Sequence, residues 1–356
     1  MKKKVKMLIL AALSGLLFCI LLVACQNNQV REVQDYPSRP LSFRPMEIDT
    51  FIGRPYMIGV LDETLILLDA VDGYHALLHD LAGGANLRVL KEGQGPGELI
   101  APLDMYVSQE DKTVSFLQRQ MGSCHTYRLD DLWRSAVDSF EHVNFMSADR
   151  AVRTEDGYVS AGFYADGIIH FYDRQGRLEQ AVDLYPEWQS ADSVGRYVLL
   201  QGYIDYSPKS RCLMYASSFA SDIFFYRKEG SIWRQTSVFP MGKARLEERL
   251  SESSLWKLRG DDVYRCFDVC HSDHYFYVLY DGRTFSVSQQ GTPTQERKRG
   301  ERVYVIRFTV EGAFDAVYEV DPTVLGIAVS SDDTWMYAIY VGEDGEYAVG
   351  KASLAG

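Results

Sequence analysis

Basic residues are scarce in this sequence. Its 356 residues include 37 Lys and Arg against 49 Asp and Glu, so the formal net charge at pH 7 is −12. Nucleic-acid binding requires a basic surface that neutralises phosphates, and the acidic balance therefore excludes nucleic acid as an expected partner. The same charge argues against adhesion to an anionic lipid surface, so membrane attachment would need a separate device.

Recognisable catalytic motifs are also missing. The sequence contains neither the Gly-x-Ser-x-Gly turn of serine hydrolases nor the His-Glu-x-x-His pair of zinc proteases. Of the seven histidines, only His271 and His274 are close enough in sequence to suggest a shared metal site. No cluster of acidic residues or cysteines accompanies them at ligand spacing. We interpret both as turn residues, and no catalytic residue is predicted.

The N-terminus has the organisation of an export signal. Four lysines within the first six residues precede an uncharged apolar run, Met7–Ala24. Such a run is typical of a secretory signal peptide, although its length also suits a transmembrane anchor. The sequence Leu22-Val23-Ala24-Cys25 resembles the lipobox of bacterial lipoproteins, which implies cleavage after Ala24 and lipidation of Cys25. Cleavage removes four lysines and no acid, so the mature net charge would be −16.

Four cysteines follow Cys25 in the mature chain: Cys124, Cys212, Cys266 and Cys270. An oxidising compartment permits disulfides. However, four residues of extended strand separate Cys266 from Cys270 by about 13 Å, which is too far for a bond between those two. Disulfides among other pairs and four buried free thiols both stay open.

One structural unit recurs along the mature chain. Six times, an apolar alternating strand, a short polar turn and a second strand follow one another, as in Leu103–Leu117 and Ile327–Ile339. A second hairpin follows each of the first five copies, and the clearest of these turns end in Gly176, Gly230 and Gly312, as turns with positive φ require. Four antiparallel strands recurring every ~40–60 residues predict an all-β fold, a six-bladed β-propeller.

The two ends of the chain complement each other. The sixth unit has only one strand, Glu346–Ser353, after its first hairpin, and Leu41–Asp49 ahead of the first blade has the pattern of an orphan strand. We therefore predict that this N-terminal strand completes the last blade and closes the ring, which removes an exposed sheet edge. The alternative is a two-sheet sandwich. The predicted organisation is a signal peptide at 1–24, a lipidated tether at 25–40 and the propeller at 41–356.

Propeller connectivity divides the loops between two rims. Turns between strands 1 and 2 and between strands 3 and 4 of each blade lie on one, the short-turn rim; the 2–3 loops and the blade-to-blade links lie on the other, the long-loop rim. All long connections are expected on the long-loop rim, namely 91–102, 185–197, 239–262 and 281–302. Long loops on a rigid scaffold often carry binding residues, so we expect this rim, with Trp188 and Trp256, to bind a partner. Residues 243–258 have helical spacing, and this helix would lie over the channel mouth or on the flank of the ring.

The most distinctive short motif is the glycine-rich turn Glu92–Leu99. Its candidate binding residues are Gly93, Gly95, Pro96, Gly97 and Glu98. The Gly-Lys-Ser/Thr ending of a phosphate-binding loop is missing, which leaves a crossing turn or a binding loop as interpretations. A Gly-x-Gly-Pro-Gly-Glu turn after the first blade, in a lipoprotein of this length, resembles the TolB-like or NHL-like six-bladed β-propeller lipoproteins of Bacteroides-type bacteria. The resemblance implies the fold and an envelope location, and it implies no activity.

Two functions stay open. The first is a monomeric, non-enzymatic binding module without a cofactor, lipid-anchored to the periplasmic side of the outer membrane, that engages an envelope protein or a glycan through the long-loop rim. The second is a hydrolase or lyase with a divalent metal such as Ca²⁺ in the channel, as in the calcium-dependent propeller lactonases that the chain also resembles. The candidate ligands are Asp104, Asp205 and Asp268, at comparable positions in the first strands of three blades. Their alternative role is that of solvated channel residues.

Overall fold

The alternating apolar segments of the sequence form strands throughout the computed structural model. The structure describes residues 31–95, 97–118, 122–138, 140–185, 193–220, 222–241, 258–284, 302–321 and 323–355. These residues form six sheets, five of four strands and one of five. Within each blade the four main strands are antiparallel neighbours, because short turns join strands whose apolar faces are buried together.

The strands follow one another blade by blade. Two short N-terminal strands come first, β1 (Ser38–Pro40) and β2 (Arg44–Pro45). Blades 1 to 3 contain β3 (Met57–Leu61), β4 (Thr64–Val71), β5 (Tyr74–Asp80), β6 (Asn86–Lys91); β7 (Pro102–Ser108), β8 (Thr113–Gln118), β9 (Ser123–Arg128), β10 (Glu141–Asn144); β11 (Ala148–Thr154), β12 (Gly157–Gly162), β13 (Ile169–Asp173), β14 (Leu178–Val182). Blades 4 to 6 contain β15 (Gly202–Ser207), β16 (Cys212–Ser217), β17 (Asp222–Glu229), β18 (Ile232–Pro240); β19 (Val263–His271), β20 (Tyr275–Thr284), β21 (Val303–Thr309), β22 (Phe314–Val320); β23 (Val324–Val329), β24 (Trp335–Val341), β25 (Tyr347–Ser353).

The first strands of the blades form a closed ring. In order, β3, β7, β11, β15, β19 and β23 each contact the next, and β23 contacts β3. They therefore line a central channel, and the prediction of a six-bladed β-propeller is confirmed. The glycines predicted to need positive φ also have it, with values of 74° at Gly176, 64° at Gly230 and 87° at Gly312.

The N-terminal segment closes the ring as predicted. Strand β2 pairs antiparallel with β25 and supplies the fourth strand of blade 6. The structure adds a feature that the sequence did not suggest, because β1 pairs parallel with β22 as a fifth strand of blade 5. Ahead of it, Val33 is 1% exposed in the core between blades 4 and 5, and Tyr36 contacts Phe239 and Phe314. Within the segment assigned above to the tether, Val33 and Tyr36 thus pack on the propeller through their side chains, and the exposed strand β1 is held by backbone pairing.

The distribution of long connections departs from the prediction in one place. The four expected segments connect strand ends on the long-loop rim, β6 to β7, β14 to β15, β18 to β19 and β20 to β21, although residues 186–192, 242–257 and 285–301 lie outside the described residues. The helix Ser193–Leu200 overlaps the second of them and extends past its expected end at 197. A further long connection, residues 129–140, joins β9 to β10 on the short-turn rim and contains the helix Leu129–Trp133. Leu129 and Leu132 of this helix are buried against blades 1 and 2, which explains why a long segment is held there.

The four cysteines after Cys25 are free thiols in the structure. Cys124, Cys212 and Cys266 are buried and Cys270 is half-buried, so the second of the two options holds. Of the helices that the structure describes, none is long and apolar enough to cross a membrane.

Candidate functional site

The three predicted channel carboxylates come together around one small cavity. Asp104 on β7, Asp205 on β15 and Asp268 on β19 all line it, and its volume is about 70 Å³. That volume holds roughly two waters, far below the ~300–1,000 Å³ of ordinary ligand sites. All three carboxylates are buried, so the interpretation of solvated channel residues is wrong. Each faces a neighbouring blade across the narrow ring rather than the solvent.

Two of these carboxylates link adjacent blades. Asp104 accepts a hydrogen bond from the Ala151 N–H on β11 at 3.0 Å, and Asp268 accepts one from the Ile327 N–H on β23 at 2.7 Å. In both cases an inner strand holds the inner strand of the next blade. Burial raises the pKa of both carboxyl groups, to about 7 for Asp268, against the lowering effect of these hydrogen bonds.

The third carboxylate is paired with a histidine. Both carboxylate oxygens of Asp205 lie 2.9 Å from Nδ1 of His271, the last residue of β19. The interpretation of His271 as a turn residue is wrong, because β19 extends to this residue; His274 does lie in the turn and pairs with Asp333. Burial lowers the pKa of His271, but the charge and hydrogen bond of Asp205 outweigh it and leave the pKa raised.

The metal alternative finds no support in this arrangement. In the part of the chain that the structure describes, no three His, Cys, Asp or Glu side chains are placed to hold a metal ion. The carboxylate oxygens instead receive backbone N–H groups or the His271 ring. The donor set therefore does not fit Ca²⁺, which needs six to eight converging oxygen ligands.

The glycine-rich turn is bonded to itself. Glu98 accepts the Gly95 N–H at 2.8 Å, and the buried Leu99 bridges back to Glu92. A Cβ on Gly93 would overlap the Glu98 carboxylate, and one on Gly97, whose φ is 74°, would overlap the Val137 carbonyl oxygen. Since the one side chain with evident chemistry is held inside the turn, the geometry favours the crossing turn over a binding loop. Pro96 lies outside the described residues.

A larger pocket opens on the long-loop rim. We call it the Arg150 pocket; its volume is about 420 Å³. It is lined by the starts of β7, β11, β15 and β19, the end of β12 and the residues after the helix Ser193–Leu200. The lining residues used below are Asp149, Arg150, Tyr197, Gln201, Tyr203, Tyr215, Ser218 and Tyr264.

Arg150 lies between this pocket and the channel cavity and lines both. Its Nε is 3.7 Å from a carboxylate oxygen of Asp104, and Nη1 donates to the Asp149 carbonyl at 2.9 Å. The guanidinium carbon stands 4.4 Å from the ring centroid of Tyr203, within the range of a cation–π contact. Nε is buried and has no hydrogen-bond partner, so this polar atom is left unsatisfied.

Tyrosines form much of the pocket wall. The Tyr197 hydroxyl donates to the Asp149 carboxylate and the Tyr215 hydroxyl to the Leu200 carbonyl. The exposed Phe163 follows the lining residue Gly162 and is edge-on to Tyr197, with ring centroids 5.3 Å apart. Burial raises the pKa of Tyr215 and Tyr264 well above the ordinary value, so both hydroxyls stay protonated.

Sequence reasoning missed this pocket. Arg150 stands one residue ahead of the apolar repeat unit that begins at Ala151, and a lone arginine at the start of an inner strand was the available signal. Tyr203 and Tyr264 occupy the corresponding start of two later inner strands. Cys25, Trp188, Trp256 and the helix predicted at 243–258 lie outside the described residues, apart from Leu258.

These features define a class of protein, a six-bladed β-propeller with a polar, aromatic pocket on one rim. The sequence matches the family described as TolB-like 6-blade propeller-like over residues 42–332, and the chain belongs to this family. No curated protein matches it in sequence.

Two solved structures share the fold. One is a Bacteroides fragilis protein assigned as exported, with 13% identity, a TM-score of 0.55 and coverage of 91% of this chain and 98% of its own. The other is a member of the duf4221 family from Bacteroides vulgatus, with 11% identity, a TM-score of 0.55 and coverage of 89% and 96%. At this identity the likeness shows the fold alone.

Proposed function

We propose that this protein is a binding module of the bacterial cell envelope that engages a partner protein or a glycan through the Arg150 pocket. In this proposal Cys25 carries the lipid that anchors it to the periplasmic side of the outer membrane. The module performs no chemistry on its partner.

The observation that carries the proposal is the contrast between the channel cavity and the Arg150 pocket, together with the aromatic wall of that pocket. The channel cavity is small, and its carboxylates already hold neighbouring strands or His271. The Arg150 pocket is about six times larger by volume and reaches the ~300–1,000 Å³ range of ligand sites. Pockets of about 560 and 420 Å³ also open on the short-turn rim, but charged side chains line much of both, whereas four tyrosines line the Arg150 pocket. The Arg150 pocket is therefore the binding site that we propose.

Two further observations support the envelope location. The sequence begins with a basic stretch, an apolar run and a lipobox-like ending at Cys25. The structurally similar Bacteroides fragilis protein is itself assigned as exported. Cys25→Ser should move the protein from the membrane pellet to the soluble fraction after cell lysis, whereas unchanged sedimentation would contradict lipid anchoring.

The binding face can be tested with two matched variants. Phe163 on the long-loop rim and Trp335 on the short-turn rim are 41% and 37% exposed, so both positions are similarly accessible to a partner. The lipidated protein and its Phe163→Arg and Trp335→Arg variants would be used to capture partners from envelope membranes. Phe163→Arg should lose partners that Trp335→Arg retains. Loss caused only by Trp335→Arg, or equal capture by all three proteins, would contradict the proposal.

A further inference from the structure

We infer that the ligand of the Arg150 pocket is one uncharged sugar residue of a glycan. This inference rests on the proposed function and specifies the ligand class of the same site. Its basis is the juxtaposition of half-buried tyrosine rings with paired charges and amide groups in one enclosed pocket.

The charges in the wall exclude an ionic ligand. Arg150 is the cation of the wall and already faces Asp104 at 3.7 Å, and the Asp149 carboxylate accepts the Tyr197 hydroxyl. An anion would approach Arg150 beside two carboxylates, and a cation would approach Asp149 beside a guanidinium. Transfer of a charged ligand from water into such a site costs more than these paired groups return.

The aromatic rings favour a ligand with an apolar face. Tyr197, Tyr203 and Tyr264 are each half-buried, so part of every ring stays available at the pocket. Phe163 contacts the Tyr197 ring, and the ring centroids of Phe219 and Tyr264 are 5.2 Å apart. A pyranose ring presents C–H groups on one face, and these pack against aromatic rings without losing hydrogen bonds.

The polar groups favour a ligand that both donates and accepts. Arg150 offers donors, and Gln201 and Ser218 offer both donors and acceptors. The Gln201 Nε2 donates to the Val198 carbonyl at 2.9 Å, which fixes the amide at the pocket wall. Vicinal sugar hydroxyls each donate and accept, so they match neighbouring acceptor and donor groups. A purely apolar ligand would displace water from Arg150 and Gln201 without replacing its hydrogen bonds, at a cost of about 1–3 kcal/mol for each bond lost.

The shape favours one terminal residue rather than a continuous chain. Strands from blades 2 to 5 and the segment after the helix Ser193–Leu200 surround the pocket, and its volume is about 420 Å³. That value is near the lower end of the ~300–1,000 Å³ range. An extended peptide would need an open groove, so a peptide is treated as an outcome of the test.

The test is saturation-transfer NMR on the full mature protein in detergent micelles. The neutral probes are the methyl glycosides of glucose, galactose, mannose and N-acetylglucosamine; glucuronate and a short-peptide mixture are the competing probes. The variants are Gln201→Ala and Tyr264→Phe, with Gln109→Ala as the matched control. Gln109 lies on the short-turn rim and likewise donates its Nε2 to a backbone carbonyl, that of Val60 at 2.7 Å.

The expected result is transfer to at least one neutral glycoside. Binding should weaken roughly tenfold in Gln201→Ala and Tyr264→Phe, the loss of one good hydrogen bond, and stay unchanged in Gln109→Ala. Transfer to glucuronate or peptides alone, to no neutral probe, or to neutral probes equally in all variants would overturn the sugar assignment. If the membrane capture still depends on Phe163 in that case, the proposed function stands and only the ligand class fails.

Discussion

The buried carboxyl of Asp268 makes the stability of the ring depend on pH in a direction that a single substitution can isolate. Its oxygens accept the Val269 N–H at 2.9 Å and the Ile327 N–H at 2.7 Å, and burial raises its pKa from 3.8 to about 7. The native state therefore keeps a proton that the unfolded chain releases near pH 4. Asp268→Asn removes the titrating proton and keeps one carbonyl oxygen, but its NH2 group cannot accept the second backbone N–H, which adds a cost of about 1–3 kcal/mol at every pH.

The sign follows from proton linkage. Between about pH 4 and pH 7 the native state binds more protons at this site than the unfolded state, so the contribution of Asp268 to stability falls as pH rises. A shift of about three pKa units corresponds to about 4 kcal/mol as an upper bound. Relative to the wild type, the variant should therefore gain up to about 4 kcal/mol of stability between about pH 3 and about pH 8, on top of a difference that does not depend on pH.

Urea unfolding of both proteins at several pH values, followed by tyrosine and tryptophan fluorescence, measures this difference directly. Subtracting the two curves cancels the titration of all other groups, provided that both unfold in one step. The account of Asp268 as a buried, protonated link between blades would be refuted if the difference in free energy of unfolding between the two proteins did not change with pH. It would also be refuted if the variant lost stability relative to the wild type as pH rises.

Three other predictions concern the fold. Gly97→Ala should lower the free energy of unfolding by about 2–4 kcal/mol, because the added Cβ meets the Val137 carbonyl. Gly84 has the same φ of 74° with nothing near its Cβ, so Gly84→Ala should lower it by only about 1–2 kcal/mol. Equal losses in urea unfolding would contradict the packing role of the crossing turn. Asp205→Asn should lower the free energy of unfolding by about 3–5 kcal/mol near pH 6, because the buried, protonated His271 loses its anion. This loss of stability should shrink as pH rises past the raised pKa of His271. A loss of stability that does not depend on pH would contradict the ion pair. Val33→Ala should lower stability by about 2 kcal/mol in thermal unfolding, and no change would mean that this segment is only a tether.

Much of the fold could be predicted because a propeller repeats its information. Each blade needs alternating apolar residues and tight turns, and the sequence shows both six times, down to the positive φ at Gly176, Gly230 and Gly312. The last blade lacks a fourth strand of its own, and this gap predicted that an N-terminal strand, β2, would fill it. The parallel strand β1 and the buried Val33 were missed because one apolar residue in a polar segment carries too little signal before its docking surface is known.

Less of the candidate site could be predicted, because its members come from different blades. The acids Asp104, Asp205 and Asp268 were found from their shared position in the repeat, but their partners Ala151, His271 and Ile327 depend on the packing of the next blade. Arg150 and Tyr264 are more than a hundred residues apart and meet only once the ring closes. Pairings of this kind are set by tertiary structure and leave no local pattern.

Photocrosslinking in living cells tests most directly whether the long-loop rim is the binding face. Benzoylphenylalanine would be placed at Phe163 or at Trp335, which are similarly exposed on opposite rims. We predict a crosslinked adduct with an envelope glycan or protein from position 163 and none from position 335. An adduct from position 335 alone, or equal adducts from both positions, would contradict the account.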